Sequence, residues 1–95
     1  MAERQPIERR EVLYSGRVQG VGFRYTAQNI AHGYNITGYV CNLPDGRVQL
    51  VAEGTTGQLD RFLSQVRTTM ASNISGCHLD KVSATGEFSE FAIRF

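Results

Sequence analysis

The sequence predicts an α+β fold, an antiparallel sheet with two helices on one face and a short C-terminal strand. Three observations predict it. Apolar residues alternate with a period of two over residues 11–16, 47–53 and 91–95, the spacing of half-buried strands. They recur at helical spacing in Phe23, Ala27, Ile30, Ala31 and Tyr34, and again in Leu59, Phe62, Leu63, Val66 and Met70. The elements follow the order β-α-β-β-α-β, the split βαβ pattern of ferredoxin-like domains. Right-handed crossovers then place both helices on one face of the sheet.

The elements follow in order. Residues 1–10 (MAERQPIERR) are polar and charged and read as a flexible arm, leaving one domain over residues 11–95. Residues 11–16 form the first strand. The first helix follows a glycine-rich loop and runs to Tyr34-Asn35, where asparagine suits a left-handed helix end. Residues 36–42 (ITGYVCN) are β-branched and aromatic and read as a second strand. Leu43-Pro44-Asp45-Gly46 is a turn, since Pro presets φ and Asp-Gly accommodates the reversal. Residues 47–53 complete the hairpin, with Val48, Leu50 and Ala52 on one face. Thr55 or Thr56 caps the second helix. Residues 74–77 read as a connector, 79–84 as a fourth strand, 85–89 as a loop and 91–95 as a final short strand.

Composition narrows the function. Ten basic and nine acidic residues give a formal net charge of +1. A nucleic-acid module carries a stronger basic excess, and the third strand offers no aromatic ring to stack a base. No nucleic-acid partner is therefore expected, and any anion recognition is local. The N-terminal residues lack the apolar core of a signal peptide, and no apolar run approaches a membrane span. No membrane partner and a cytoplasmic location are expected. Cys41 and Cys77 have no metal-ligand spacing and are too few for a disulfide framework. They read as reduced, partly buried thiols, with one bridge left open.

The chemistry concentrates in Gly16-Arg17-Val18-Gln19-Gly20-Val21-Gly22-Phe23-Arg24. Three glycines in seven residues let the backbone turn sharply and present its N–H groups. The helix beyond adds the positive end of its dipole, so the loop suits an anion such as phosphate. Arg24 adds a planar, permanently charged fork. The spacing matches neither G-x-x-x-x-G-K-[ST] nor G-x-G-x-x-G, so a nucleotide site has no support. A glycine-rich turn with a surface arginine remains the plainer alternative. Asn42 closes the second strand. Its amide is neutral and offers one acceptor and two donors, suited to holding a water beside a bound phosphoryl group. Capping the hairpin turn is its plainer role. His32 and His78 lie in unpatterned contexts, and no paired carboxylates or nucleophile elbow appear.

The glycine loop, together with Gly38-Tyr39-Val40-Cys41-Asn42-Leu43-Pro44-Asp45-Gly46-Arg47-Val48 and Gly54, closely resembles the two signature segments of the acylphosphatase family. The resemblance runs from Val12 to Phe95. It implies hydrolysis of a small-molecule acyl phosphate, such as acetyl phosphate, to a carboxylate and inorganic phosphate. It implies that Arg24 binds the phosphate, that Asn42 orients the attacking water, and that the amides of Gln19, Gly20, Val21, Gly22 and Phe23 form the cradle. No metal and no organic cofactor are expected. Inorganic phosphate or sulfate is the expected competing anion, and a monomer is the simplest state. A non-catalytic anion-binding module of the same fold is the alternative. Cys41 departs from the family's common longer polar residue and Asn35 from its usual glycine, and residues 74–77 lack its prolines. Cys41 adjoins Asn42, so oxidation at the site is a further expectation. The site as read grips only the phosphoryl group, which leaves the acyl part weakly selected.

Overall fold

The computed structural model describes residues 6–95. Its elements are β1 (Glu8–Gly16), α1 (Phe23–Ala31), β2 (Ile36–Asn42), β3 (Val48–Gly54), α2 (Thr56–Thr69), β4 (Ile74–Ser83) and β5 (Phe91–Arg94). The strands form one sheet in the order β4-β1-β3-β2-β5. β1 pairs antiparallel with β3 and β4, and β2 pairs antiparallel with β3. β5 adds to β2 in parallel, Gly38 opposite Phe91, so the sheet is mixed and the expected antiparallel pattern holds for the other four strands.

The alternation of each strand decides which side chains meet the helices. Val12 and Tyr14 of β1, Val40 of β2, and Val48, Leu50 and Ala52 of β3 join one buried cluster. Phe23, Ala27 and Ala31 of α1 and Leu59, Phe62 and Val66 of α2 complete it, so both helices cover the same face. Leu59, Phe62 and Val66 are fully excluded from solvent, and each such side chain contributes about 1.5–3 kcal/mol relative to exposure. Phe62 meets Phe91 edge-on at 5.4 Å between ring centroids, which ties α2 to the edge formed by β5.

Three boundaries differ by three residues or more from expectation. β1 begins at Glu8, inside the expected arm, while residues 1–5 of that arm lie outside the described residues. Arg10 is buried on the core face, and its guanidinium reaches Glu8 at 2.6 Å and Asp60 at 3.7 Å. Alternation holds through Arg10, but its charge hid the pattern. α1 stops at Ala31 rather than Tyr34-Asn35, because Gly33 and Tyr34 donate to the carbonyls of Ile30 and Ala31 three residues back. Asn35 is not left-handed, since no described non-glycine residue has a positive φ. β4 begins at Ile74, five residues early, so residues 74–77 are strand and not connector. Most of this edge strand is exposed, and without a buried face it shows no hydrophobic alternation. Thr55 stands at the start of α2 as expected but makes no side-chain cap bond.

The second face of the sheet holds a feature with no sequence signal. Glu53 of β3 is buried there. It accepts hydrogen bonds from the Thr85 amide at 2.9 Å, the Thr85 hydroxyl at 3.0 Å and the Gly86 amide at 2.9 Å, and it pairs with Arg9 at 3.2 Å. The segment between β4 and β5 is thus strapped across the sheet. Phe88 follows the strap and lies edge-on to Tyr39, with ring centroids 5.8 Å apart. Cys41 and Cys77 are free thiols. They stand on β2 and β4, three strand spacings or about 14 Å apart, beyond the reach of a bridge.

Burial pushes the Glu53 carboxyl up, but the two amides, the hydroxyl and Arg9 outweigh it and hold the group below its ordinary value. A carboxyl depressed in the folded state adds stability above its unfolded pKa and loses it as pH falls through the folded one. Glu53→Gln is expected to lower stability by about 1–3 kcal/mol at neutral pH. The gap between the two unfolding curves should narrow as pH drops below 4.5, the carboxyl's ordinary value. Denaturant melts across pH measure it, and a gap that does not change with pH contradicts the assignment.

Candidate active site

Topology brings the two sequence signals together. β1 and β2 both run antiparallel to β3, on either side of it, and are therefore parallel to each other. Val48 of β3 faces Tyr14 of β1 and Asn42 of β2 in one row. The loop that leaves β1 and the end of β2 consequently open at the same edge of the sheet. Ile36, Gly38, Val40 and Asn42 lie on the helix-facing side of β2, so Asn42 turns toward the start of α1.

The loop is built to leave its amides free. Gly20 and Gly22 adopt left-handed conformations, with φ of 76° and 77°, which cost a glycine nothing. Gly22 is the residue before α1 and makes no side-chain cap. The first helical bond runs from the Thr26 amide to the Gly22 carbonyl at 2.9 Å. The amides of residues 20–25 find no acceptor among the described residues. Val18 is buried in the core and anchors the loop from below. The side chain of Gln19 donates to the carbonyls of Leu43 and Arg47 at 2.8 and 2.9 Å, pinning the loop to the β2–β3 turn.

A cavity of about 210 Å³ opens here, lined by Val18, Gly20, Gly22, Phe23, Arg24, Tyr25 and Asn42. Among the described residues Arg24 forms no ion pair, and its guanidinium lies 4.8 Å from the Phe95 ring centre. The Asn42 side-chain oxygen is buried and has no hydrogen-bond partner among the described residues. Such an atom carries an unmet acceptor in a low-dielectric setting. The cavity therefore collects a helix N-terminus, free amides, one unpaired cation and one unpaired acceptor.

Of the residues nominated from sequence, Gly20, Gly22, Phe23, Arg24 and Asn42 line the cavity. Gln19 and Val21 do not. Gln19 turns its side chain to the neighbouring turn, and Val21 points outward, 37% exposed. Val18 and Tyr25 line the cavity without having been nominated; both follow from the loop's path into the core and the helix's first turn. Cys41 alternates with Asn42 and faces the opposite side of the sheet, beside Gln49 at 3.6 Å. Burial pushes its thiol above the ordinary value, against the pull of Arg94 and Arg24, which favours the protonated, weakly nucleophilic form. His32 and His78 are exposed, and His78 faces Asp80 at 3.3 Å. No group of three or more His, Cys, Asp or Glu among the described residues is placed to hold a metal ion. A second cavity, about 260 Å³, opens between α2 and β4 around Tyr14, Leu63, Arg67 and Cys77. It has no free helix N-terminus.

The acylphosphatase family model matches residues 10–93. The chain belongs to the acylphosphatase family. It is 43% identical to the acylphosphatase of Methylococcus capsulatus over 92% of this chain and 96% of that protein. It is 42% identical to the acylphosphatase of Methanospirillum hungatei over 93% of this chain and 98% of that one. The fold is similar to the crystal structure of acylphosphatase from Bacillus subtilis, with a TM-score of 0.82, 29% identity, and 93% and 99% of the two chains covered. Acyl phosphate hydrolysis is the function of this family, and the chain is a hydrolase of that class.

The brace from Gln19 is testable apart from turnover. Gln19→Ala removes the second donor from the Leu43 and Arg47 carbonyls, which keep the Gly46 and Leu43 amides, and should cost about 0.5–1.5 kcal/mol of stability. It should also weaken phosphate binding by loosening the loop. Thermal melts with and without phosphate measure both. A variant with unchanged stability and unchanged phosphate affinity contradicts the bracing role.

Proposed function

We propose that this cavity hydrolyses acyl phosphates without a metal ion, its phosphoryl oxygens held by the loop amides and Arg24. The observation that carries the reading is the buried, unpartnered side-chain oxygen of Asn42, a residue that lines the same cavity as Arg24. That oxygen accepts a hydrogen bond from a water molecule and turns the water's lone pair toward phosphorus.

The step balances without another group. A bond forms from the water oxygen to phosphorus as the bond from phosphorus to the acyl oxygen breaks. The electron pair leaves with the carboxylate, and the water's proton passes to a phosphoryl oxygen. A carboxylate is a good leaving group, because carboxylic acids ionise near pH 4. No general acid is required, and the protein's task is positioning and charge stabilisation. Arg24 and the helix N-terminus meet the negative charge of the transferring group. An alcohol leaving from an alkyl phosphate would need protonation, and the cavity lining offers no carboxyl or imidazole for it. Inorganic phosphate or sulfate, lacking an acyl group, competes for the same amides. One chain supplies every group in this step, so a monomer suffices.

Asn42→Ala is expected to lower kcat by about a hundred- to a thousandfold while phosphate still competes. Arg24→Ala should lose both turnover and phosphate binding and still fold, since that side chain is not part of the core. The assay is hydrolysis of acetyl phosphate in the presence of a chelator, with an alkyl phosphate as control. Unimpaired turnover in Asn42→Ala, or turnover that requires added metal, contradicts the proposal.

A further inference from the structure

The second cavity, about 260 Å³, lies between α2 and the sheet edge formed by β1 and β4. In the register of that pair Val12 faces Leu79 and Tyr14 faces Cys77, so the four side chains share the face that carries the helices. On α2, Asp60, Leu63, Ser64 and Arg67 stand at i, i+3, i+4 and i+7, one stripe of the helix. The helix does not close over β4, and Leu79 stays 41% exposed on the helix-facing side. Val12, Leu63 and Leu79 make the walls apolar, and the unpaired polar groups gather at one end. Tyr14 is only 2% exposed. The hydroxyls of Tyr34 and Tyr39 meet Gln65 and Gln49, whereas that of Tyr14 has no hydrogen-bond partner among the described residues. Burial pushes it above its ordinary value, Cys77 adds to the rise and Arg67 opposes it. The hydroxyl therefore lies at the Arg67 end of the cavity and stays a donor at neutral pH. Arg67 makes no ion pair among the described residues. Asp60, the acid of the lining, sits about 10 Å back along the helix, and its carboxylate is 3.7 Å from the buried Arg10 guanidinium.

An unpaired cation and an unpaired hydroxyl donor at one end of an apolar cavity are complementary to a carboxylate on a compact apolar body. Each donor takes one carboxylate oxygen, and the single negative charge meets the single guanidinium. A phosphate group would bring further charge with no second cation to meet it. Volume limits the body. A cavity of about 150 Å³ holds benzene, so this one has room for a ring and its carboxylate. We propose that the cavity between α2 and β4 binds a small aromatic monocarboxylate, its acid on Arg67 and Tyr14 and its ring between Leu63 and Leu79. This site is separate from the glycine-loop cavity and does not depend on what that cavity does. The two adjoin through one aromatic contact, Tyr14 against Phe23 with ring centres 5.0 Å apart.

The test titrates benzoate into the full chain and follows the backbone amides by NMR, with benzyl alcohol as the uncharged control and acetate as the control without a ring. Benzoate should saturate with a Kd of about 1 mM, an ordinary free energy for so small a ligand. The amides that shift should include those of residues 63–67 and 77–79. Benzyl alcohol should bind about tenfold more weakly, and so should benzoate to Arg67→Gln, the scale of a hydrogen bond to a charged group. Acetate should bind at least about tenfold more weakly, because it buries no ring. Tyr14→Phe deletes only the hydroxyl. It should weaken benzoate about three- to tenfold, yet melt no lower than the native chain without benzoate, since the deleted group had no partner. Shifts confined to residues 16–24 place benzoate in the glycine loop and overturn the proposal. Equal affinity for benzoate and benzyl alcohol overturns it, as does unchanged affinity in Arg67→Gln. No sign of saturation by about 10 mM also overturns it.

Discussion

The register at Val48 is the constraint on which the site depends. One β3 residue faces Tyr14 on one side and Asn42 on the other. The ends of β1 and β2 are therefore held level, two strand spacings or about 10 Å apart. The glycine loop has to bridge that gap. A slip of one residue in β2 would turn Asn42 to the far face and bring Cys41 to the cavity. The buried face of β3 resists such a slip, since Val48, Leu50 and Ala52 are packed under the helices. The placement of Asn42 beside the glycine loop is thus inherited from the packing of the core.

The loop shows the opposite economy. Free amides and an uncapped helix start are left unsatisfied by the chain itself. Satisfied internally, they would stabilise the fold but bind nothing. The chain supports the loop elsewhere: Val18 plugs it into the core, and Gln19 ties it to the β2–β3 turn. Both contacts leave the loop amides free, although Val18 itself lines the cavity. Rigid support outside, with unmet donors and one unmet acceptor inside, is the arrangement that positioning chemistry requires.

Much of this was legible because the signals are local. Glycine spacing, a helix starting at Phe23, and a strand ending at Asn42 before Pro-Asp-Gly are each contained within about ten residues of sequence. The core helices were legible for the same reason, since their apolar stripes repeat at a fixed period. What escaped depends on partners distant in the chain. Glu53 looked like an outward charge on β3, and only the strap from Thr85 and Gly86 explains its burial. Arg10 looked like part of a charged arm until Glu8 and Asp60 were placed around it. β4 lacks alternation because neither of its faces becomes buried. Gln19 was nominated for its amide, yet its side chain makes the longer-range contribution, and Phe95 gained meaning only when the fold returned it to Arg24.

The central claim is that a water held by Asn42 attacks phosphorus and not the acyl carbon. Both routes give the same products, but the isotope distinguishes them. Acetyl phosphate hydrolysed by the full chain in ¹⁸O-labelled water, with the products read by ³¹P NMR and mass spectrometry, tests the claim directly. The account predicts one labelled oxygen in the inorganic phosphate and none in the acetate. Label in the acetate would contradict it.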